Sequence, residues 1–237
     1  DVSQINLKSI FSGANIVIHL AAITDAAGSI DKAEELEANN FQSTLRVAEA
    51  CIEVNASLIA LSSTSVYGTQ KDQVDENCSD SELQPQSPYA TTKLKEEELI
   101  AKLSKEKGLK AIHCRFGTIF GVSQGMRFHT AVNKFCWQAV MNQPISIWST
   151  AYDQKRPYLD LRDASRAITF IIKNDIFDGQ IYNVLTSNAT VRQVVETIKE
   201  FVPNLELEFV DNRIMNQLSY EVLCERFKSK GFVFSGN

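Results

Sequence analysis

The chain has 237 residues, of which 44% are hydrophobic and 22% charged, a composition typical of a folded globular protein that excludes a disordered one. Its net charge of −5 argues against a nucleic-acid backbone as the main partner, and no apolar run reaches the roughly 18 residues of a membrane helix. The five cysteines show no C-x-x-C spacing, which argues against a zinc site or a disulfide framework. We therefore expect a cytoplasmic protein with no metal and with no nucleic-acid or membrane partner.

Apolar segments of strand type alternate with segments of helical periodicity along the chain. The predicted strands cover residues 16–20, 58–61, 111–116 and 181–185, and the predicted helices cover residues 31–55, 88–107, 127–142, 162–173 and 190–202. This alternation predicts an α/β fold with a parallel sheet covered on both faces. Ligands of such sheets bind beyond the carboxyl ends of the strands, so the residues that follow each strand are the candidates for function.

A cluster of hydroxyl side chains follows the second predicted strand. Ser62, Ser63, Thr64 and Ser65 are consecutive and stand at its carboxyl end. They could bind a substrate oxygen there. A polar turn that only caps the strand has the same residue types.

A tyrosine and a lysine then begin a predicted helix. Ser87 is a good N-cap and Pro88 suits the first helical position, so Tyr89 and Lys93 are expected one turn apart on one face. An ammonium beside a phenol lowers the pKa of the phenol, which could then exchange a proton with an alcohol near neutral pH. A solvated helix face remains the alternative. Tyr67 and Lys71 share this spacing, but Gly68 interrupts that pair.

These segments together resemble the extended short-chain dehydrogenase/reductases, and within them the nucleotide-sugar epimerase/dehydratase group. The run from Ile16 to Ala22 is similar to the V-I-H-L-A-A strand of that family, and the run from Leu61 to Gly68 to its S-S-x-x-V-Y-G segment. Further segments match in order: residues 40–44 (N-x-x-G-T, with Ser43 in place of Gly), 88–93 (P-Y-x-x-x-K), 115–121 (R-x-x-N-x-x-G), 156–163 (R-D-Y-x-x-x-x-D) and 182–184 (Y-N-V). The resemblance covers nearly the whole chain.

The resemblance implies a Rossmann-like, doubly wound parallel sheet, N-terminally truncated, with a smaller C-terminal α/β substrate lobe. The implied division assigns residues 1–121 and 157–180 to the partial dinucleotide-binding domain, and residues 122–156 and 181–237 to the lobe. The implied catalytic residues are Ser63, Tyr89 and Lys93. The implied cofactor-binding residues are Asp1, Val2, Leu20, Ala21, Ala22, Asn40, Ser62, Tyr89 and Lys93. The implied substrate-binding residues are Ser63, Thr64, Thr118, Arg127 and Arg156.

The sequence departs from the family in its phosphate-binding loop. The G-x-x-G-x-x-G segment is absent, and about 55–60 family residues before Asp1 are missing by the usual length of two βα units plus a strand. We therefore expect a fragment that alone holds the cofactor poorly. The implied cofactor is NAD. NADP stays an alternative because the residue that would distinguish NAD from NADP is not in this sequence.

Other departures bear on the chemistry. Dehydratases of the group carry Asp-Glu after the Ser or Thr of the active site, where this sequence has Thr64 and Ser65, which argues against elimination of water. Thr118 replaces the Asn of the R-x-x-N segment. We therefore expect an epimerase that transiently oxidises a carbinol of a nucleotide sugar, with C4 as the expected position. A sugar or alcohol oxidoreductase with net redox turnover and a non-enzymatic cofactor-binding protein are the alternatives. The family also implies a homodimer of the complete protein.

Overall fold

The computed structural model describes residues 2, 4–24, 33–68, 73–211 and 220–236. Its helices are α1 (Leu7–Phe11), α2 (Ala33–Val54), α3 (Pro88–Lys107), α4 (Ala131–Val140), α5 (Leu161–Lys173), α6 (Val191–Phe201) and α7 (Glu225–Ser229). Its strands are β1 (Ile16–His19), β2 (Ser57–Ser63), β3 (Gln73–Val74), β4 (Ala111–Phe116), β5 (Thr118–Phe120), β6 (Ile145–Trp148), β7 (Lys155–Asp160), β8 (Ile181–Val184), β9 (Ser187–Thr190), β10 (Leu207–Val210) and β11 (Glu221–Val222). Asp1 and Lys71 lie outside the described residues.

The main sheet has four parallel strands in the order β1-β2-β4-β8. Side chains alternate between its faces, so Leu58 and Ala60 of β2 join a core with α2 and α3, whereas Ile59 joins a core with α5 and α7. Both faces are therefore covered, and the strands are apolar on both sides. The predicted α/β fold with a parallel sheet is confirmed.

Strand β8 belongs to this sheet and not to the predicted C-terminal lobe. Cys114 and Arg115 of β4 stand opposite Tyr182 and Asn183 of β8. Phe227 of α7 lies in the same core as β4 and α5. The division predicted at residue 181 therefore does not match the strand pairing, because a strand buried on both faces needs a neighbour in a covered sheet.

Smaller sheets accompany the main sheet. Strands β5, β7 and β9 form one sheet, in which β5 and β7 are parallel and β7 and β9 antiparallel. Strands β6 and β10 pair with each other and share a core with α4 and α6. The sequence interpretation had predicted helices α4 and α6 but none of these strands.

The segment 220–236 packs against α5 and the core of the main sheet. Asp163 of α5 is fully buried and accepts hydrogen bonds from the backbone N–H groups of Ser235 and Gly236, with oxygen–nitrogen distances of 2.9 to 3.2 Å. The ring of Phe232 packs against Phe227. Within the described ranges, no helix combines the length and the apolar character needed to cross a membrane.

Candidate active site

The carboxyl end of β2 turns sharply into a short 3₁₀ helix, Thr64–Tyr67. Ser63 caps this turn, because its Oγ accepts hydrogen bonds from the backbone N of Ser65 at 3.2 Å and from the Ser65 hydroxyl at 2.9 Å. Thr64 is buried and donates to the carbonyl oxygen of Phe116 at 3.3 Å. Ser62 is also buried, and its Oγ has no hydrogen-bond partner in the part of the chain that the structure describes. The cluster therefore forms a polar turn after β2, one of the two possibilities that the sequence left open. The Ser62 hydroxyl takes no part in the hydrogen bonds of this turn.

Distant parts of the chain fix this turn. The Tyr67 hydroxyl donates to Oδ1 of Asn183 on β8 at 2.8 Å. The Tyr220 hydroxyl donates to the carbonyl oxygen of Thr64 at 3.1 Å. Both tyrosines are buried, so the turn is held from the main sheet and from the C-terminal segment.

Helix α3 begins as predicted and packs against this turn. The Ser87 Oγ accepts from the backbone N of Ala90 at 3.2 Å, and Pro88 occupies the first turn. Tyr89 is half-buried, and Lys93 is buried one turn further along the helix. The hydroxyl turn and the two candidate catalytic residues of α3 therefore lie on adjoining elements.

The expected electrostatic effect of Lys93 on Tyr89 is wrong for this structure. The Lys93 Nζ lies 5.9 Å from the centroid of the Tyr89 ring but only 2.9 Å from Oε2 of Glu96. Burial first of all, and then the Glu96 carboxylate, raise the pKa of Tyr89 to about 12, against the opposing effect of Arg127. Burial therefore makes the Tyr89 phenol harder to ionise than an exposed tyrosine, and the nearest cation on its own helix is paired with Glu96.

The end of β1 carries the implied cofactor residues. Leu20 is 59% exposed, Ala21 is exposed and Ala22 is half-buried. Asn40 is buried in α2, where its Oδ1 accepts from the backbone N of Ile23 at 2.8 Å and its Nδ2 donates to the carbonyl oxygen of Ile23 at 2.9 Å. Asn40 therefore fixes the backbone just beyond these residues.

The remaining implied residues are more scattered. Val2 is half-buried against the core that α1 and α2 share, and Thr118 is exposed at the start of β5. Arg127 is exposed and donates to Thr24 Oγ1. Arg156 is half-buried and donates to Gln154 Oε1 at 2.8 Å, and burial lowers the pKa of its guanidinium. Arg127 and Arg156 thus lie on segments outside the main sheet.

Sequence reasoning missed the polar residues that surround Lys93. Glu96 Oε2 accepts from Thr44 Oγ1 at 3.0 Å, and Thr44 Oγ1 lies 3.1 Å from Nε2 of His19. The i, i+3 spacing of Lys93 and Glu96 was a visible signal. Nothing local to the sequence marked Thr44 or His19 as members of the same group.

Comparison with known proteins identifies the family of this chain. The profile of the NAD dependent epimerase/dehydratase family matches residues 2–184. The chain belongs to that family. The matched region contains the hydroxyl turn, the start of α3 and the end of β1, so the resemblance inferred from the sequence segments is confirmed.

Relatives within the family include sugar-modifying enzymes. The chain is 30% identical to the uncharacterized UDP-glucose epimerase YtcB of Bacillus subtilis, over 82% of this chain and 61% of that protein. It is 28% identical to a trifunctional UDP-glucose 4,6-dehydratase, 3,5-epimerase and reductase, RHM2, of Arabidopsis thaliana, over 96% of this chain and 35% of that protein. The chain thus spans less than two thirds of the length of either relative.

Solved structures of the family share the fold. The UDP-glucuronic acid 4-epimerase of Bacillus cereus, in complex with UDP-glucuronic acid and NAD, superimposes with a TM-score of 0.90 at 20% identity, covering 100% of this chain and 76% of that one. The UDP-N-acetylglucosamine 4-epimerase of Methanobrevibacter ruminantium M1 gives a TM-score of 0.87 at 21% identity, covering 99% and 76%. The Rossmann-like architecture expected from the resemblance is confirmed by these neighbours.

Proposed function

We propose that this chain belongs to an NAD-dependent nucleotide-sugar epimerase. The enzyme would transiently oxidise a sugar carbinol, with C4 as the expected position, and then return the hydride to the opposite face of the keto-sugar. One observation carries the proposal. The Ser63 turn at the carboxyl end of β2 adjoins the first turn of α3, where Tyr89 stands at the ligand-binding edge of a parallel sheet. The names of the relatives, several of which are UDP-sugar epimerases, support the same chemistry.

Residues at the ends of β1 and β2 fit the nicotinamide half of a dinucleotide. Leu20 is apolar and yet largely exposed, and Ser62 has a buried hydroxyl without a partner among the described residues. An apolar surface and an unpaired hydroxyl at this edge are features that a bound ring and its ribose would satisfy. When bound, NAD supplies the hydride acceptor and donor that the reaction needs. Leu20, Ala21, Ala22, Ser62 and Lys93 would hold that half, and NADP remains an alternative.

Tyr89 is the proposed site of proton transfer. During oxidation the carbinol proton passes to the Tyr89 phenolate, and during reduction the phenol returns it, so no net proton is consumed. Ser63 would hold the same sugar oxygen. Because burial keeps the pKa of Tyr89 high, the phenol is the resting form and needs nearby positive charge to ionise. Arg127 is one source of that charge.

The two arginines would bind the diphosphate of the substrate. A guanidinium matches phosphate geometry; Arg156 lies in β7 of a smaller sheet, and Arg127 lies on the segment before α4. Thr118 and Thr64 would contact the substrate from β5 and from the hydroxyl turn. In this proposal residues 122–156 and the chain from β9 to β10 form the sugar-nucleotide side. A homodimer and a cytoplasmic location stay predictions.

The residues after Ser63 disfavour dehydration in this proposal. The Thr64 hydroxyl donates to the Phe116 carbonyl, and the Ser65 hydroxyl donates to Ser63. Neither is an acid or a base near neutral pH, so neither supplies the proton transfers by which water is eliminated. Epimerisation needs only the Tyr89 proton transfer.

The test is a substrate panel with the full-length protein. We expect NMR of the sugar anomeric protons to show an epimer from at least one of a set of UDP-, GDP-, dTDP- and CDP-hexoses incubated with NAD. Tyr89→Phe should lower kcat by about 100- to 10,000-fold. Tyr152→Phe is the matched control, because its ring packs on Phe209 and Arg192 in the other lobe.

Two outcomes would contradict the proposal. If Tyr89→Phe turned over the best substrate at the parental rate, the assignment of the general base would be wrong. Accumulation of NADH in step with product would instead indicate an oxidoreductase with net turnover, because an epimerase recycles its cofactor.

A further inference from the structure

The Ser63 hydroxyl accepts two hydrogen bonds within its own turn. Its Oγ accepts from the backbone N–H of Ser65 at 3.2 Å and from the Ser65 hydroxyl at 2.9 Å. A serine oxygen has two lone pairs and one proton. Because Ser65 occupies both lone pairs, the Ser63 hydroxyl can offer a further partner only its proton. Ser63 is half-buried, so it is not closed off from a ligand.

One peptide group connects this arrangement with the C-terminal segment. The N–H of the peptide between Thr64 and Ser65 donates to Ser63, and the C=O of the same peptide accepts from the Tyr220 hydroxyl at 3.1 Å. Tyr220 is 4% exposed, and its ring stands edge-on to the ring of Tyr67, with the ring centroids 6.5 Å apart. The packed ring therefore holds the peptide plane, and with it the direction in which the N–H reaches Ser63.

Burial keeps the Tyr220 hydroxyl a hydrogen-bond donor. It raises the pKa of Tyr220 to about 12, against the opposing effect of Arg156. The hydroxyl therefore keeps the proton that it donates to Thr64 at a pH at which an exposed tyrosine is already ionised. Arg156 is one of the two proposed ligands of the diphosphate, so the tyrosine that holds the turn also interacts with a charge on the phosphate side of the proposed site.

We propose that Ser65 and Tyr220 are positioning residues for Ser63, which they leave only as a hydrogen-bond donor to the sugar oxygen at the reacting carbon. Ser65 acts on the Ser63 hydroxyl directly, and Tyr220 acts through the peptide. The inference rests on the proposed function in taking that oxygen as the partner of Ser63. While the carbinol proton is on Tyr89, the sugar oxygen is a carbonyl oxygen that can only accept, so a fixed donor stabilises it.

The first test needs no substrate and follows hydrogen exchange by NMR in the full-length protein labelled with ¹⁵N-serine. The Ser65 amide signal is the one that Ser65→Ala removes. We expect Tyr220→Phe, which keeps the packed ring, to speed exchange of this N–H about two- to tenfold, the equivalent of one ordinary hydrogen bond. Exchange at Ser62 in β2 is the internal reference for general destabilisation. Tyr182→Phe is the matched control, because it removes the hydroxyl of another buried tyrosine, one that donates to Asp178 at 2.6 Å.

The second test is kinetic and uses the best substrate of the panel. We expect Ser65→Ala to lower kcat about tenfold at a nearly unchanged KM, because the Ser63 donor is aligned for the oxygen as it reacts. Ser65→Thr keeps the hydroxyl and should restore most of kcat. Tyr220→Phe should lower kcat about two- to tenfold in the same way. Ser57→Ala is the control, because it makes the same change at a half-buried serine at the other end of β2.

Either test can overturn the inference. If the Ser65 N–H, relative to Ser62, exchanged equally fast in Tyr220→Phe and Tyr182→Phe, Tyr220 would not hold the peptide. A kcat that Ser65→Thr failed to restore, or a rise of KM alone in Ser65→Ala, would mean that the Ser65 hydroxyl does not orient Ser63. A parent protein that turned over none of the sugars would contradict the proposed function, whereas the exchange test would still decide whether Tyr220 positions the turn.

Discussion

Arg115 and Glu97 form two parallel hydrogen bonds across the interface of β4 and α3, Nε to Oε1 at 2.9 Å and Nη2 to Oε2 at 2.6 Å. Each side chain is only 3% exposed. Removing one charge leaves the other buried and unpaired. We expect Glu97→Gln to lower the free energy of unfolding by about 3–5 kcal/mol, measured by urea denaturation.

An exposed ion pair on the same helix provides the comparison. Lys95 Nζ lies 2.6 Å from Glu37 Oε1, but both side chains are nearly half exposed. Lys95→Gln should change the free energy of unfolding by less than about 1 kcal/mol, because water already screens that pair. If the two variants were equally stable, burial would not be what makes the Arg115–Glu97 pair important.

Gly68 should tolerate no side chain. Its φ of 62° favours glycine, and a Cβ built on it would overlap the carbonyl oxygen of Gln84, the residue with which Gly68 forms a β-bridge. We expect Gly68→Ala to destabilise the protein by about 2–4 kcal/mol in urea denaturation, since backbone strain and overpacking add.

The variant Gly108→Ala distinguishes backbone strain from overpacking. It ends α3 with a φ of 71°, and a Cβ there would meet nothing within 4 Å. Gly108→Ala should cost only about 1–2 kcal/mol, the strain of the left-handed conformation. A loss at Gly68 no larger than at Gly108 would show that the Gln84 backbone moves aside easily.

His113 should make the protein less stable in mild acid. Burial lowers the pKa of this imidazole on β4 to about 4, below its ordinary value of 6.5. The unfolded chain therefore binds the proton more readily, and stability is lost as the pH falls from about 6.5 towards 4. Each such histidine costs about 2 kcal/mol between pH 7.5 and 5, and His19 should contribute in the same direction.

The measurement is the free energy of unfolding at several pH values in the parent and in His113→Leu. The variant should lose about 2 kcal/mol less than the parent between pH 7.5 and 5. His129→Gln is the control, because His129 is exposed in the folded protein. Identical pH dependence in all three proteins would mean that His113 does not control the acid sensitivity.

Local chemistry made α3 predictable to the residue. Ser87 and Pro88 start it and Gly108 ends it, and all three act through the backbone of their immediate neighbours. The helix predicted over 127–142 is shorter in the structure, Ala131–Val140, because the chain becomes helical only after Thr130. The strands of the smaller sheets were not predicted, since each is short and pairs with distant residues, such as Thr118 with Tyr158.

The three consecutive glutamates of α3 show why the site could be predicted only in part. Glu96, Glu97 and Glu98 are alike in the sequence, but the first holds Lys93, the second holds Arg115 and the third is exposed. The spacing of Tyr89 and Lys93 was visible in the sequence, and so was their helix. The burial of Tyr89 and the pairing of Lys93 with Glu96 depend on how α3 packs against other elements, and the sequence therefore suggested the wrong direction for the pKa of Tyr89.

The contacts of residues 220–236 have a consequence for synthesis on the ribosome. Phe227 fills the core beneath β4 and β8, and Asp163 is satisfied by the backbone of Ser235 and Gly236. Translation delivers these residues after every strand of the main sheet. A nascent chain that has emerged only as far as β8 therefore leaves one apolar face of the sheet without Phe227, and the Asp163 carboxylate without the two backbone donors that it has in the folded protein.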